Sequence, residues 1–250
     1  MKLLTKLILN KLKNEKGGIT PTGTLEITEN GIYNVTNYAQ AKVDIKRYIP
    51  LKYIESSGVQ YINTNLSPSN ITKIEIEFAY TLESGNNSLF GARNTNSSNY
   101  DMICLNINYA NVSNVMQFAF GHYVSPWENI LEFRPEINKK YKIKCEYENN
   151  LQKIYVDDVE KLSLTKSYNS SYLNNIMYYL FACNYDNSSV NYNGNTRIYS
   201  AKFYNGNNLI AEFIPAKRKS DNEICMYESI SDTFFENNGS SVFIAGEERK

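Results

Sequence analysis

From Lys73 to Phe78 the chain reads Lys-Ile-Glu-Ile-Glu-Phe, with charged and apolar residues in strict alternation. A period of two sends Ile74, Ile76 and Phe78 to one side of an extended strand and Lys73, Glu75 and Glu77 to the other. The segment therefore predicts a strand with one dry face and one wet face. Lys142-Ile143-Lys144-Cys145-Glu146-Tyr147 repeats the pattern. Extended runs recur from Tyr48 onward at a spacing of about ten residues, which suits a sandwich or barrel. The predicted strands are 51–55, 61–63, 73–80, 88–93, 102–108, 115–122, 141–148, 152–156, 177–183, 196–204 and 209–215, with shorter pieces at 225–228, 233–236 and 242–244. Turn signals separate them at Ser84-Gly85-Asn86-Asn87, Glu148-Asn149-Asn150, Asp157-Asp158 and Asn205-Gly206-Asn207-Asn208. No long helical period interrupts this region, so an α/β alternation is excluded. The pattern predicts an all-β fold, an antiparallel sandwich of two sheets.

The first residues follow a different period. Leu4, Ile8 and Leu12 fall at i, i+4 and i+8, with Leu3 and Leu7 beside them, which predicts a helix over 1–16 ended by Gly17-Gly18 and Pro21. Lys2, Lys6, Lys11, Lys13 and Lys16 against Glu15 give it a local charge of about +4. A helix this short is marginal alone in water, so its stripe needs a partner. The candidates are the chain's own body, copies of itself, another protein, or a membrane surface. Docking to protein through Leu4, Leu7, Ile8 and Leu12 is the favoured reading. Residues 22–46 predict a small β unit with strands at 24–28, 32–35 and 41–45, too slight to bury much by itself. The expected division is an anchoring helix over 1–18, a β adaptor over 19–46 and the sandwich over 47–250.

Composition sharpens this picture in three places. The 21 Tyr and 11 Phe suit half-buried strands, and the 35 Asn suit tight turns, because Asn tolerates left-handed backbone. The 26 basic and 26 acidic side chains cancel, which argues against a general nucleic-acid binder. The four cysteines, Cys104, Cys145, Cys183 and Cys225, are widely spaced in apolar runs with no zinc spacing, and they read as buried free thiols, with two disulfides as the alternative. No run is long enough to span a membrane, and Lys6 breaks the apolar part of the N-terminus, so no secretory leader is read.

Catalytic chemistry finds no foothold in the residues. Glycoside cleavage needs two converging carboxylates. Glu75 with Glu77, and Glu146 with Glu148, read instead as a solvated strand face. His122 is the only histidine, and no nucleophile elbow, phosphate loop or dinucleotide glycine pattern occurs. Asp157-Asp158 reads as a turn rather than a calcium site. The expectation is no enzyme, no cofactor and no metal. The best binding candidate is the stretch 121–128, which carries His122, Tyr123 and the only Trp, Trp127, in a Pro-containing loop. Aromatic rings there could stack on the C–H face of a sugar while polar neighbours bond its hydroxyls. The bland alternative for Trp127 is a core position. Arg93 with Asn94, and Tyr185 with Asp186, are further loop candidates for the same ligand.

Two stretches resemble a known family. Tyr53-Ile54-Glu55-Ser56-Ser57-Gly58-Val59-Gln60-Tyr61-Ile62-Asn63-Thr64 resembles the opening of a laminin-G-like, concanavalin A-like jelly roll found in phage tail, baseplate and head-fibre proteins. The far end is similar too, with Arg197-Ile198-Tyr199, then a strand ending Pro215-Ala216-Lys217-Arg218, then Ile224-Cys225-Met226-Tyr227-Glu228 and Thr233-Phe234-Phe235-Glu236-Asn237. Cys225 stands where the family has Gly, Met226 where it has Leu, Glu228 where it has Asp, and Phe235 where it has Tyr. These departures weaken a role for the Asp more than they weaken the fold. The run from Gly23 to Val35 also resembles a short module of phage structural proteins, while residues 85–190 carry no motif of the family. The resemblance implies a virion protein, made in the host bacterial cytoplasm and assembled as a homo-oligomer, with a trimer favoured. Its implied partners are other virion proteins, through residues 1–46, and a bacterial surface polysaccharide. The alternative readings are a carbohydrate-binding module of a secreted or cell-surface protein and, behind it, a glycan-cleaving enzyme.

Overall fold

The computed structural model describes residues 24–27, 40–43, 46–83, 86–94, 99–106, 115–119, 130–131, 133–165, 175–191 and 193–249. Contacts divide the chain into two units, Met1–Arg47 and Tyr48–Lys250. In the first unit, β1 (Thr24–Ile27) and β2 (Gln40–Val43) pair in parallel, with Thr24 opposite Gln40 and Ile27 opposite Val43. The predicted helix, with Leu4, Leu7, Ile8 and Leu12, and the predicted strand at 32–35 lie outside the described residues.

The second unit is built from β3 (Tyr48–Pro50), β4 (Ile54–Ser57), β5 (Ile62–Asn63), β6 (Lys73–Tyr80), β7 (Asn86–Asn94), β8 (Asn99–Asn106), β9 (Val115–Ala119) and β10 (Ile130–Leu131). It continues with β11 (Tyr141–Glu148), β12 (Leu151–Val156), β13 (Val159–Thr165), β14 (Tyr179–Leu180), β15 (Cys183–Tyr185) and β16 (Ser189–Asn191). It closes with β17 (Asn195–Asn205), β18 (Asn208–Arg218), β19 (Ile224–Glu228), β20 (Thr233–Phe235) and β21 (Ile244–Ala245). No α-helix occurs among the described residues, and the one helical turn is a 3-10 turn at Pro68–Asn70. The larger sheet runs β13-β12-β11-β6-β17-β18-β19-β20, with β3 on β18, β4 on β17 and β21 on β4. The smaller runs β10-β9-β8-β7-β14-β5, with β15 on β7 and β16 on β15. Within this unit the pairs are antiparallel except β15 with β7.

The strongest alternations become strands with the predicted limits, 73–80 and 141–148. Two predictions are corrected. The run 177–183 is not one strand, because the chain reverses at Phe181, whose φ is 68°, and β14 and β15 lie on either side of the reversal. Val159–Thr165 forms a strand that was not expected. It lies at the end of the larger sheet and most of it is exposed, so it lacks a clear apolar side.

Inward residues of both sheets join one core cluster, among them Ile62, Phe90 and Leu180 from the smaller sheet and Ile74, Ile76, Phe78 and Ile143 from the larger. A chain of aromatic rings crosses it. Phe90 meets Tyr178 edge-on at 5.6 Å, Tyr178 meets Phe203 at 5.9 Å, Phe203 meets Phe213 edge-on at 5.8 Å, and Phe213 meets Phe235 at 5.1 Å. Tilted and edge-on geometry suits the ring quadrupoles, so each contact adds to the burial term. Cys145, Cys183 and Cys225 are buried, and burial pushes the Cys225 thiol up to about 12.

The turns explain the Asn content. Asn149 and Asn150, and Asp157 and Asp158, have positive φ, as two-residue type I′ turns require, and Asp186 and Asn187 have it too in a three-residue turn. They join β11 to β12, β12 to β13 and β15 to β16. The Asp157-Asp158 turn is closed by a bond from the Lys142 N–H to Asp157 Oδ1 at 2.8 Å, and no metal-ligand cluster occurs among the described residues.

Residues 237–249 form a strap along β4 and β5. Asn238 N–H donates to the Tyr61 carbonyl at 2.9 Å, Ser240 N–H to Val59 at 3.1 Å, and Arg249 N–H to Pro50 at 2.8 Å. Gly239 fits only because it has no side chain, since a Cβ there would lie 2.1 Å from the Val59 carbonyl oxygen.

Candidate functional site

The outward face of the larger sheet is set by register. Ile74, Ile76 and Phe78 on β6, Ile143 and Cys145 on β11, Ile154 and Val156 on β12, and Ala201 and Phe203 on β17 all enter the core. Their alternate neighbours therefore share the opposite face. One row crosses β12, β11, β6, β17 and β18: Tyr155 faces Lys144, Lys144 faces Glu75, Glu75 faces Lys202, and Lys202 faces Glu212. A second row reads Lys153, Glu146, Lys73 and Tyr204. A third reads Lys142, Glu77 and Ser200. The bulge at Tyr199, where the register of β17 shifts, keeps both Arg197 and Ser200 on this face.

Opposite charges thus meet both along and across the strands, with rings among them. Lys202 lies 3.2 Å from Glu212, Lys144 3.0 Å from Glu146, Lys73 3.8 Å from Glu75, and Lys140 2.8 Å from Glu77. Lys142 reaches both Asp158 at 3.2 Å and Glu75 at 4.0 Å. The Lys144 ammonium sits 3.8 Å from the Tyr155 ring centre and that of Lys73 3.9 Å from Tyr204. Exposed pairs of this kind contribute about 0–1 kcal/mol each, so the grid sets pattern more than stability. The bond from Glu212 raises the Lys202 pKa, and burial, with the nearby Glu75 carboxylate, raises that of the Tyr204 phenol. At neutral pH Lys202 is therefore an ammonium donor and Tyr204 an intact phenol.

Two depressions lie on this face. The first, about 450 Å³, is lined by Lys73, Glu146, Lys153 and Tyr155 and bounded by the turn residues Asn149 and Asn207. The second, about 290 Å³, is lined by Glu75, Glu77, Lys142, Ser200, Lys202 and Arg249. Donors and acceptors alternate across strands about 4.8 Å apart. Such a surface can bond a run of hydroxyl groups while a ring takes an apolar patch.

The residues singled out in the sequence fall elsewhere. His122, Tyr123 and Trp127 lie outside the described residues. Arg93, Asn94, Tyr185 and Asp186 come together on the smaller sheet. Arg93 Nη1 donates to the Tyr185 hydroxyl at 2.7 Å, its guanidinium lies 4.8 Å from that ring centre, and Asp186 N–H donates to the Arg93 carbonyl at 3.0 Å. Arg93 and Asn94 are not in a loop as expected. They end β7, because Arg93 pairs with Tyr100 and with Tyr185, and Asn94 with Asn99. The face of the larger sheet was missed as a site, since Glu75, Glu77, Glu146 and Glu148 read as a plain solvated side. The available signal was Tyr155 and Tyr204, large rings at positions where alternation calls for polar residues.

No protein-family model matches the sequence, and no curated protein does. Among solved structures, a protein of Bacteroides ovatus assigned to carbohydrate binding aligns with a TM-score of 0.55 at 8% identity, over 83% of this chain and 62% of its own. This chain thus spans 62% of that protein's length, and the likeness is one of fold. The CBM40 module of the Ruminococcus gnavus IT-sialidase bound to alpha2,3 sialyllactose aligns at 0.44 and 14% identity, over 64% of this chain and 90% of its own. A galectin of Caenorhabditis elegans aligns at 0.38 and 13%, over 60% of this chain and 94% of its own.

Proposed function

We propose that this protein is a non-catalytic glycan-binding module whose binding surface is the outward face of the larger sheet. The observation that carries the proposal is the set of cross-strand rows of Lys, Glu and Tyr opening into two adjoining depressions. A sugar presents a ring of hydroxyls around apolar C–H faces. Alternating cations and carboxylates match the former, and Tyr155 offers a ring for the latter. The shared fold with a protein assigned to carbohydrate binding supports this reading.

Within that reading we assign the sandwich to the laminin-G-like, concanavalin-type jelly rolls, on the residues at 53–64 and 197–237 described above. A phage virion setting, attachment through residues 1–46 and trimeric assembly are proposed on the same sequence resemblance. The comparisons favour the glycan-binding module over the virion component as the primary description. Deleting residues 1–20 is expected to leave the sandwich folded, by its circular dichroism spectrum and melting curve, and to abolish incorporation into particles. Assembly of the truncated form would place the anchor elsewhere.

A glycan array followed by calorimetry on the best ligand tests the binding surface. Tyr155→Ala is expected to weaken binding by about tenfold, equivalent to ~1.4 kcal/mol, without moving the melting temperature by more than a few degrees. Trp127→Ala and His122→Ala form the second arm. If they remove binding while Tyr155→Ala leaves it intact, the site belongs to the 121–128 stretch instead.

A further inference from the structure

We propose that Arg249 is a specificity residue that selects glycans carrying an oxyanion, a carboxylate or a phosphate, at the second depression. This deepens the glycan-binding reading and rests on it.

The strap fixes Arg249 through its own backbone. β21 pairs with β4, Glu248 bridges Leu51, and Lys52 N–H donates to the Glu247 carbonyl at 2.7 Å. The side chain then reaches the depression, where Nη2 donates to the Tyr199 carbonyl at 2.7 Å and to that of Lys52 at 3.4 Å. Both acceptors are neutral. They orient the guanidinium without cancelling its charge.

The other charges lining the depression are already matched. Glu77 has Lys140, Lys142 has Asp158 and Glu75, and Lys202 has Glu212. Arg249 makes no ion pair among the described residues. Its Nε and Nη1 donors remain, each able to give a charge-assisted bond to an anion oxygen. The Ser200 side chain lines the same depression and adds a neutral hydroxyl. An oxyanion placed beside Arg249 would meet the one lining cation that no carboxylate among the described residues answers.

The experiment is calorimetry of the full chain against three probes: an oligosaccharide of hexuronic acid, a neutral oligosaccharide of equal length, and an oligo(glycerol phosphate). At least one acidic probe is expected to bind about tenfold tighter than the neutral one. Arg249→Gln should bring the acidic and neutral probes to equal affinity, and Arg249→Lys should keep part of the difference. Uronate and phosphate arms separate the two sources of the anion. Melting curves of both variants report whether the strap stays in place, and the lysine form keeps the charge if the glutamine form loosens it. Equal binding of neutral and acidic probes, unmoved by Arg249→Gln, would overturn the role of Arg249 and spare the glycan surface. Absence of binding to every glycan would bring down both.

Discussion

Phe203→Ala is expected to destabilise the domain by about 3–5 kcal/mol, the range for emptying a large aromatic site in a core. Phe203 is fully buried and stands in the middle of the ring chain, touching Tyr178 on one side and Phe213 on the other. Tyr178 in turn meets Phe90 of β7, so the Phe203 ring transmits contact from one sheet to the other. Its loss opens a cavity at the join, where neither sheet can collapse without moving its strands. A domain's total stability is only about 5–15 kcal/mol, so the variant should melt far earlier or fail to accumulate. Phe203→Leu fills most of the space and is expected to cost about 1–2 kcal/mol. Urea titrations of the two variants with unchanged slope provide the measurement. Equal midpoints for both would mean that the ring chain does not join the sheets.

Glu228→Ala carries the second large effect, about 3 kcal/mol, because a buried carboxylate would be removed from three backbone donors. Glu228 is 4% exposed and ends β19. Glu212 N–H and Ile230 N–H donate to Oε1 at 2.8 and 2.9 Å, and Ser231 N–H donates to Oε2 at 2.6 Å. The side chain thus holds the turn into β20 against β18. Burial alone would raise the carboxyl pKa, but the bonds from Ser231, Glu212 and Ile230 outweigh it and the net shift is downward. A lowered folded pKa means the contribution is present above the unfolded value of about 4.3 and is lost as pH falls through the folded value. Stability of the natural protein should therefore fall on acidification below about pH 4, while Glu228→Ala should lose less over the same interval. Denaturant midpoints measured from neutral to acid pH decide the point. Parallel curves for the two proteins would show that Glu228 is not held as a carboxylate. The carboxylate has a structural role here, because the long Glu arm reaches the turn amides.

The strands that could be read from the chain were those with one wet and one dry side. At 73–80 and 141–148 alternation alone set the limits, because burial of one side leaves no other register. Strands β14 and β15 were merged because Met177 to Cys183 offers no Gly, Pro, Asn or Asp to mark the reversal, and a Phe takes the left-handed backbone instead. The site was harder to see. Arg93 and Tyr185 are neighbours only because β15 runs beside β7, a pairing between residues far apart in sequence. Charges on a wet face look alike in sequence whether they are idle or organised. Only register shows that Tyr155, Lys144, Glu75, Lys202 and Glu212 form one line across the sheet.

That line also guards the sheet against misalignment. On its outer side β11 presents Lys142, Lys144 and Glu146 in turn, and β6 answers with Glu77, Glu75 and Lys73. Sliding one strand by two residues keeps every apolar side chain indoors, so hydrophobicity cannot detect the error. The charges can: one direction sets Lys144 against Lys73, and the other sets Glu146 against Glu75. Like charges directly opposite are unfavourable, so the same block pattern that faces a ligand in the finished protein rejects slipped pairings while it folds.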